Sequence, residues 1–254
     1  MTMDKRMLTP AETCESFYAV GERKAGLTLG RMLVLAIFGG MFIALAGAAS
    51  TWSSMLVENP SIKRLIAGCV FPAGLAMVVL TGAELFTGNN LMTIALLEKR
   101  ITVKGLLRNW CMVYLGNFIG AAFVAAAVVW GGVFAGNETV LISAAAGKIL
   151  PFGVAFLRGI LCNILVSLGV LMAAVGKDAA GKVVALFFPV AAFIMAGYEH
   201  CVANIYYFTA GILAGGELSL AEIIFSNMIP VTLGNIVGGG LILGAGFWYA
   251  YRAK

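Results

Sequence analysis

His200 is the one histidine of the chain, and it lies in a stretch that occurs twice. Gly197-Tyr198-Glu199-His200-Cys201-Val202-Ala203-Asn204 repeats the pattern of Gly82-Ala83-Glu84-Leu85-Phe86-Thr87-Gly88-Asn89, and both read G-x-E-x-x-x-x-N. An imidazole titrates nearer neutrality than any other side chain, so among apolar neighbours it can give or take a proton or orient a polar solute. The two carboxylates, Glu84 and Glu199, recur at the same place, which fits a paired structural task. Each would accept bonds from backbone N–H groups freed by a break in a helix. A Glu199–His200 acid–base pair is too small a set for an enzyme, which would need a nucleophile or a metal cluster beside it. The five cysteines, Cys14, Cys69, Cys111, Cys162 and Cys201, form no C-x-x-C, and four lie in apolar segments. They read as small buried hydrophobes, so neither a metal nor a cofactor is expected.

The duplication extends beyond this stretch. Phe71-Pro72 precedes the first copy and Phe188-Pro189 the second. Downstream, Asn109 to Gly120 and Asn227 to Gly238 share N-x-x-x-V-x-L-G-N-x-x-G. Two motifs in one order at nearly one separation mark a tandem repeat of a half-length unit.

The solvent of this chain follows from composition. Hydrophobic residues make up 61% and charged residues 11%, with a mean hydropathy of +0.97. A soluble domain carries roughly 25% charged residues. A membrane-crossing helix needs about 20 mostly apolar residues. Uncharged runs of that order separate Arg31 from Glu58, Arg64 from Glu84, Arg108 from Glu138, Arg158 from Lys177, Lys182 from Glu199, and Glu222 from Arg252. Three spans per unit is odd, so the second unit must sit inverted in the bilayer. Such repeats place a pathway near the midplane at discontinuous helices. The breaks are expected in the second and fifth spans, at Thr87-Gly88-Asn89-Asn90 and at Glu199-His200, each followed by a second half-helix. The fold class is thus an all-α membrane protein of six transmembrane helices in an inverted three-plus-three repeat, with units at 31–136 and 150–252 of a 31–254 transmembrane domain.

Residues 1–30 are polar and lack the apolar core of a signal peptide. Thr9-Pro10-Ala11-Glu12 reads as a capping box opening a short amphipathic helix that runs to about Lys24. Lys5, Arg6, Arg23, Lys24, Arg31, Lys99, Arg100, Lys104, Arg108, Lys177, Lys182, Arg252 and Lys254 fall on one side of a six-span topology. Lys63, Arg64, Lys148 and Arg158 fall on the other. The bias puts both termini in the cytoplasm of a cell bounded by this membrane. It also accounts for the formal charge of +5 without nucleic acid.

These motifs, in this order over about residues 10–252, resemble those of the formate/nitrite transporter family. The resemblance implies an aquaporin-like protomer, a homopentamer with one pore per protomer, and passage of small monovalent anions such as formate, nitrite or hydrosulfide. By the same resemblance His200 and Thr87 form the pore centre. Phe71, Leu75, Leu85, Phe86 and Phe193 form apolar constrictions, and Lys148 and Asn163 attract anions in a vestibule. Glu84, Asn89, Glu199 and Asn204 are expected to brace the helix breaks, as are Asn117 and Asn235. An aquaporin-type water channel is disfavoured because no Asn-Pro-Ala occurs. A proton-coupled anion symporter remains open beside a channel, since one histidine could serve both.

Overall fold

The computed structural model describes residues 7–252. Lys5, Arg6 and Lys254 of the charge count lie outside the described residues. Helix α1 (Pro10–Ala25) opens on the capping box: Glu12 N–H donates to Thr9 Oγ1 at 3.3 Å, and Thr9 N–H donates to the Glu12 carboxylate at 2.8 Å. Its apolar stripe, Cys14 and Phe17, packs on Leu91, Ile94 and Leu171. Burial, reinforced by Cys14 and Glu98, pushes the Tyr18 phenol up to about 12, so it stays neutral throughout the physiological range.

Among the described residues six helical stretches are long and apolar enough to cross a membrane: Leu29–Ser54, Pro60–Thr81, Val103–Trp130, Phe152–Val175, Ala179–Ala196 and Leu220–Tyr251. The first is α2 (Leu29–Ser54), the third α7 (Val103–Trp130) and the fourth α9 (Phe152–Val175). The chain is therefore a multi-pass membrane protein. Helices α1 and Gly246–Tyr251 lie on one face: they touch each other, and Trp248 Nε1 donates at 2.7 Å to Glu98, which follows the helix that packs on α1. The face carrying both ends is called the terminal face below, and the opposite one the far face.

The second and fifth spans stop partway. In the second, α3 (Pro60–Val70) and α4 (Pro72–Thr81) run to Gly82; in the fifth, α10 (Ala179–Ala196) runs to Gly197. Both glycines are left-handed, with φ of +74° and +73°, a conformation in which a Cβ would crowd the following carbonyl. After four residues each chain resumes as helix: α5 (Phe86–Asn89), a 3₁₀ turn Asn90–Met92 and α6 (Thr93–Leu97) in the first unit, α11 (Cys201–Leu213) in the second. The first break therefore lies at Gly82–Leu85, not at Thr87-Gly88-Asn89-Asn90 as the turn-forming residues imply. Those residues are helical because the Asn89 side chain is engaged across the fold, as described below. Their weak helix preference survives only in the 3₁₀ turn.

Between the third and fourth spans, α8 (Glu138–Ala146) lies against α11. The sixth span comprises α12 (Leu220–Ile223), α13 (Ile229–Asn235) and α14 (Gly246–Tyr251), joined by π-helical stretches at Ile224–Met228 and Ile236–Ala245. Hydropathy alone reads it as one unbroken helix. Close approach of spans is set by small residues, as expected in lipid. A Cβ on Gly40 of α2, for example, would overlap the backbone of Asn117 in α7. The core gathers around the two breaks, with Phe71, Leu75, Leu85, Phe86, Phe193 and Val202 in one cluster. The periphery is apolar: Trp130, Phe188 and Phe225 are 76%, 66% and 65% exposed, as suits a surface facing hydrocarbon.

Candidate functional site

The freed backbone groups at each break are met by one asparagine from the helix after it. In the first unit Phe86 N–H donates to Asn117 Oδ1 at 2.9 Å, while Asn117 Nδ2 donates to Ala36 O at 2.7 Å and Glu84 O at 2.9 Å. In the second, Cys201 N–H donates to Asn235 Oδ1 at 3.0 Å, and Asn235 Nδ2 donates to Gly159 O at 2.8 Å and Glu199 O at 3.0 Å. Glu84 N–H reaches Leu35 O and Glu199 N–H reaches Arg158 O in the same manner, at 3.0 and 3.3 Å. The two units thus carry one hydrogen-bond plan, in which a primary amide substitutes for the missing turn.

With those backbone groups taken, the two carboxylates do something other than the sequence implies. They bind side chains, not backbone N–H. Glu84 accepts from Lys24 Nζ at 2.7 Å and from Asn89 Nδ2 at 2.6 Å; Asn89 also accepts from Lys24 at 2.8 Å and donates to Asn109 Oδ1 at 2.8 Å. Glu199 accepts from Lys148 Nζ at 3.1 Å and Asn204 Nδ2 at 2.8 Å; Asn204 donates in turn to Asn227 Oδ1 at 2.7 Å. Lys24, Asn109 and Asn227 carry no role in the sequence reading. Asn109 and Asn227 were findable, since they are the first shared letter of the downstream motif. Lys24 was not, because it comes from α1, outside the repeat. Lys148 comes from the α8–α9 connection, and its ammonium also lies 4.8 Å over the Tyr207 ring.

At the centre Thr87 Oγ1 lies 2.9 Å from His200 Nε2. The other ring nitrogen, Nδ1, accepts from Ala203 N–H at 3.1 Å and caps α11. A backbone N–H can only donate, so Nδ1 carries no proton. The neutral ring then bears its proton on Nε2 and donates to Thr87, whose own hydroxyl proton is left to turn toward a solute. A proton added at Nδ1 would oppose the Ala203 N–H and set a positive charge at a helix N-terminus, both unfavourable. Phe193 stacks on the imidazole at 5.9 Å with an interplanar angle of 22°, and Phe71 meets Phe193 edge-on at 5.6 Å. Thr87 does not cap α5; that position is Leu85.

Two cavities approach this centre. One, of about 440 Å³, opens to the terminal face and is lined by Leu75, Leu85, Glu84, Asn89 and Lys24 among others. The other, of about 600 Å³, includes Phe193, His200, Glu199, Asn204 and Lys148. Phe71 and Thr87 are buried and line neither. Phe86 also lines neither; it packs edge-on against Tyr114 at 4.9 Å and Trp110 at 6.1 Å.

Residues 11–249 match the formate/nitrite transporter family. The chain belongs to that family. A "Probable formate transporter" of Methanothermobacter thermautotrophicus is 37% identical, with 98% of this chain and 99% of that one aligned. The "Formate channel FocA" of Haemophilus influenzae is 36% identical over 87% of this chain and 83% of its own length. Among solved structures, an "FNT family ion channel" superposes with a TM-score of 0.88 at 31% identity, covering 94% of this chain and 98% of that one. A "Pentameric formate channel with formate bound" gives 0.76 at 32%, covering 89% and 98%. The family is one of channels and transporters, not enzymes.

One expected residue of this transporter is misplaced by its sequence. Asn163, anticipated in the vestibule, is fully buried and lines neither cavity. Its Nδ2 lies 3.2 Å from Thr87 O, 2.7 Å from Asn90 Oδ1 and 2.7 Å from Asn235 O. An amide inside α9 with carbonyls on three sides finds its bonds within the protein, so it ties the fourth span to the first-unit half-helix and to α13 of the sixth span. Among the described residues no group of three or more His, Cys, Asp or Glu side chains could hold a metal ion.

Proposed function

We propose that this family member passes small monovalent weak-acid anions, formate foremost, through a channel in each protomer, with His200 aiding passage. One observation carries the reading: a hydroxyl–imidazole pair 2.9 Å apart, walled by aromatic rings, standing between two cavities. Moving a bare anion into an apolar throat costs many kcal/mol by Born solvation, whereas the neutral acid avoids most of that cost. The anion therefore crosses as its neutral acid, or protonated transiently near the ring. Leu75 and Leu85 narrow the terminal side and Phe193, with Phe71 edge-on to it, the far side, while Phe86 packs on Tyr114 and Trp110; Thr87 and His200 offer the polar step between the two sides. Lys148 meets the anion at the far mouth. Nitrite and hydrosulfide carry the same single charge and are no larger than formate, so they fit the same throat. The names of its formate-handling relatives favour formate.

The channel body comprises residues 31–254, preceded by the segment 1–30, which carries α1, on the cytoplasmic side of the plasma membrane. The excess of Lys and Arg on the terminal face supports that orientation. A homopentamer is supported by the pentameric formate channel to which the chain is similar and by its apolar periphery. Formate flux into proteoliposomes, followed across pH, tests the reading. Wild type is expected to conduct faster as pH falls, because the neutral acid becomes more abundant, and His200→Ala to lose rate at every pH. An unchanged rate in that variant would remove His200 from the mechanism. Formate accumulation against its own gradient, driven by pH, would establish coupled transport in place of a channel.

A further inference from the structure

The two lysines nearest the centre are already paired. Lys24 sits 2.7 Å from Glu84 and Lys148 sits 3.1 Å from Glu199, with little of either carboxylate exposed. A lysine held that close to a carboxylate presents a dipole, whose field dies away far faster than that of a net charge. Each cavity nonetheless includes two more cations. Lys63 and Arg64 line the far one, and Arg23 and Lys182 the terminal one. No carboxylate pairs with any of the four among the described residues. Of the carboxylates nearest in sequence, Glu22 faces Arg100 at 3.7 Å, Asp178 accepts from Gly181 N–H at 2.7 Å, and Glu58 makes no ion pair with Lys63 or Arg64 among the described residues. The repeat also places them alike: Arg64 lies eight residues before Pro72, and Lys182 seven before Pro189.

We propose that anions are drawn to the two mouths by these four unpaired cations, Lys63 and Arg64 on the far side and Arg23 and Lys182 on the terminal side, rather than by the paired lysines. The inference rests on the anion-channel reading above. A cavity with low-dielectric walls focuses the field of uncompensated charges at its mouth and raises the local anion concentration. Lys24 and Lys148 then act at contact range, while the rim cations act at a distance and from both sides of the membrane. Such attraction depends on ionic strength, because the screening length shrinks from about 30 Å at 0.01 M to about 3 Å at 1 M.

Initial formate flux into proteoliposomes, measured at both ionic strengths with a salt of a bulky impermeant anion, tests this. The quadruple variant R23Q/K63Q/R64Q/K182Q is expected to lose about threefold to tenfold of the wild-type rate at low salt. At high salt it should match wild type. The variant K148M/E199Q removes a paired lysine with its partner and should keep the wild-type response to salt, whatever its absolute rate. An unchanged low-salt rate in the quadruple variant, or an equal loss at both strengths, overturns the proposal. So does loss of the salt response in K148M/E199Q. A wild-type protein that passes no formate at either strength would instead overturn the functional reading, and would do so before any variant is compared.

Discussion

His200 is bonded through both ring nitrogens, and each bond constrains what the ring can do. With Nδ1 committed to Ala203 N–H, the only proton the neutral ring can offer is the one on Nε2, and Thr87 holds it. Under the proposed function, it is the threonine hydroxyl that the solute would meet. Thr87→Val, which keeps the shape and removes that hydroxyl, should lower formate flux about tenfold, on the scale of one hydrogen bond of about 1.4 kcal/mol. Thr87→Ser should retain most of it. Equal flux in Thr87→Val and wild type would show that the hydroxyl is not used. Asn235 has a different role at the same scale. Asn235→Leu strands Cys201 N–H together with Gly159 O and Glu199 O, and should lower stability by about 2–4 kcal/mol. Thermal unfolding of the detergent-solubilised protein would register it.

At the scale of elements, α1 is part of the transporter's polar framework as well as a surface helix. It brings Lys24 to Glu84, as the α8–α9 connection brings Lys148 to Glu199. Lys24→Met leaves a buried carboxylate without its cation and should destabilise by about 3 kcal/mol, with much of the loss recovered in Lys24→Met/Glu84→Gln. Failure of the second substitution to rescue would mean that the pair is not what holds α1 there. The breaks themselves depend on two left-handed glycines. Gly197→Ala meets no nearby backbone and so isolates the conformational cost, about 1–2 kcal/mol. A larger loss would point to contacts beyond backbone conformation. The repeated letters made both breaks readable, but not the position of the first. Thr87-Gly88-Asn89-Asn90 has the composition of a turn, yet the bonds of Asn89 to Glu84 and Asn109 hold it as helix. Local preference of a few tenths of a kcal/mol per residue yields to such buried bonds.

For the whole molecule, six span-length helices carry an apolar periphery that must meet lipid or another copy of the chain. Native mass measurement in a mild detergent is expected to give five protomers. A stable monomer that conducts formate at the full rate would show that assembly is not needed for passage. Accessibility of single cysteines placed at Met7 and at Leu56 would fix the orientation. A membrane-impermeant thiol reagent applied to intact cells should label Leu56→Cys alone, in a background lacking Cys69 and Cys111, which are exposed.

The amino-acid sequence by itself determined the solvent, the number of crossings, the duplication, and the presence of one imidazole at the second of two breaks. These follow from composition and from short-range pattern, and neither needs to know which side chains meet. Only the tertiary structure decided that the carboxylates hold lysines, that Asn163 joins the fourth span to the first half-helix and the sixth span, that Lys24 closes the terminal-side cluster, and which nitrogen of His200 bears its proton. Each of those depends on the partner that a buried polar group finds. In a chain this poor in charge, that partner lies 20 to 85 residues away in sequence for Asn89, Asn163 and Asn109, beyond the reach of any local pattern.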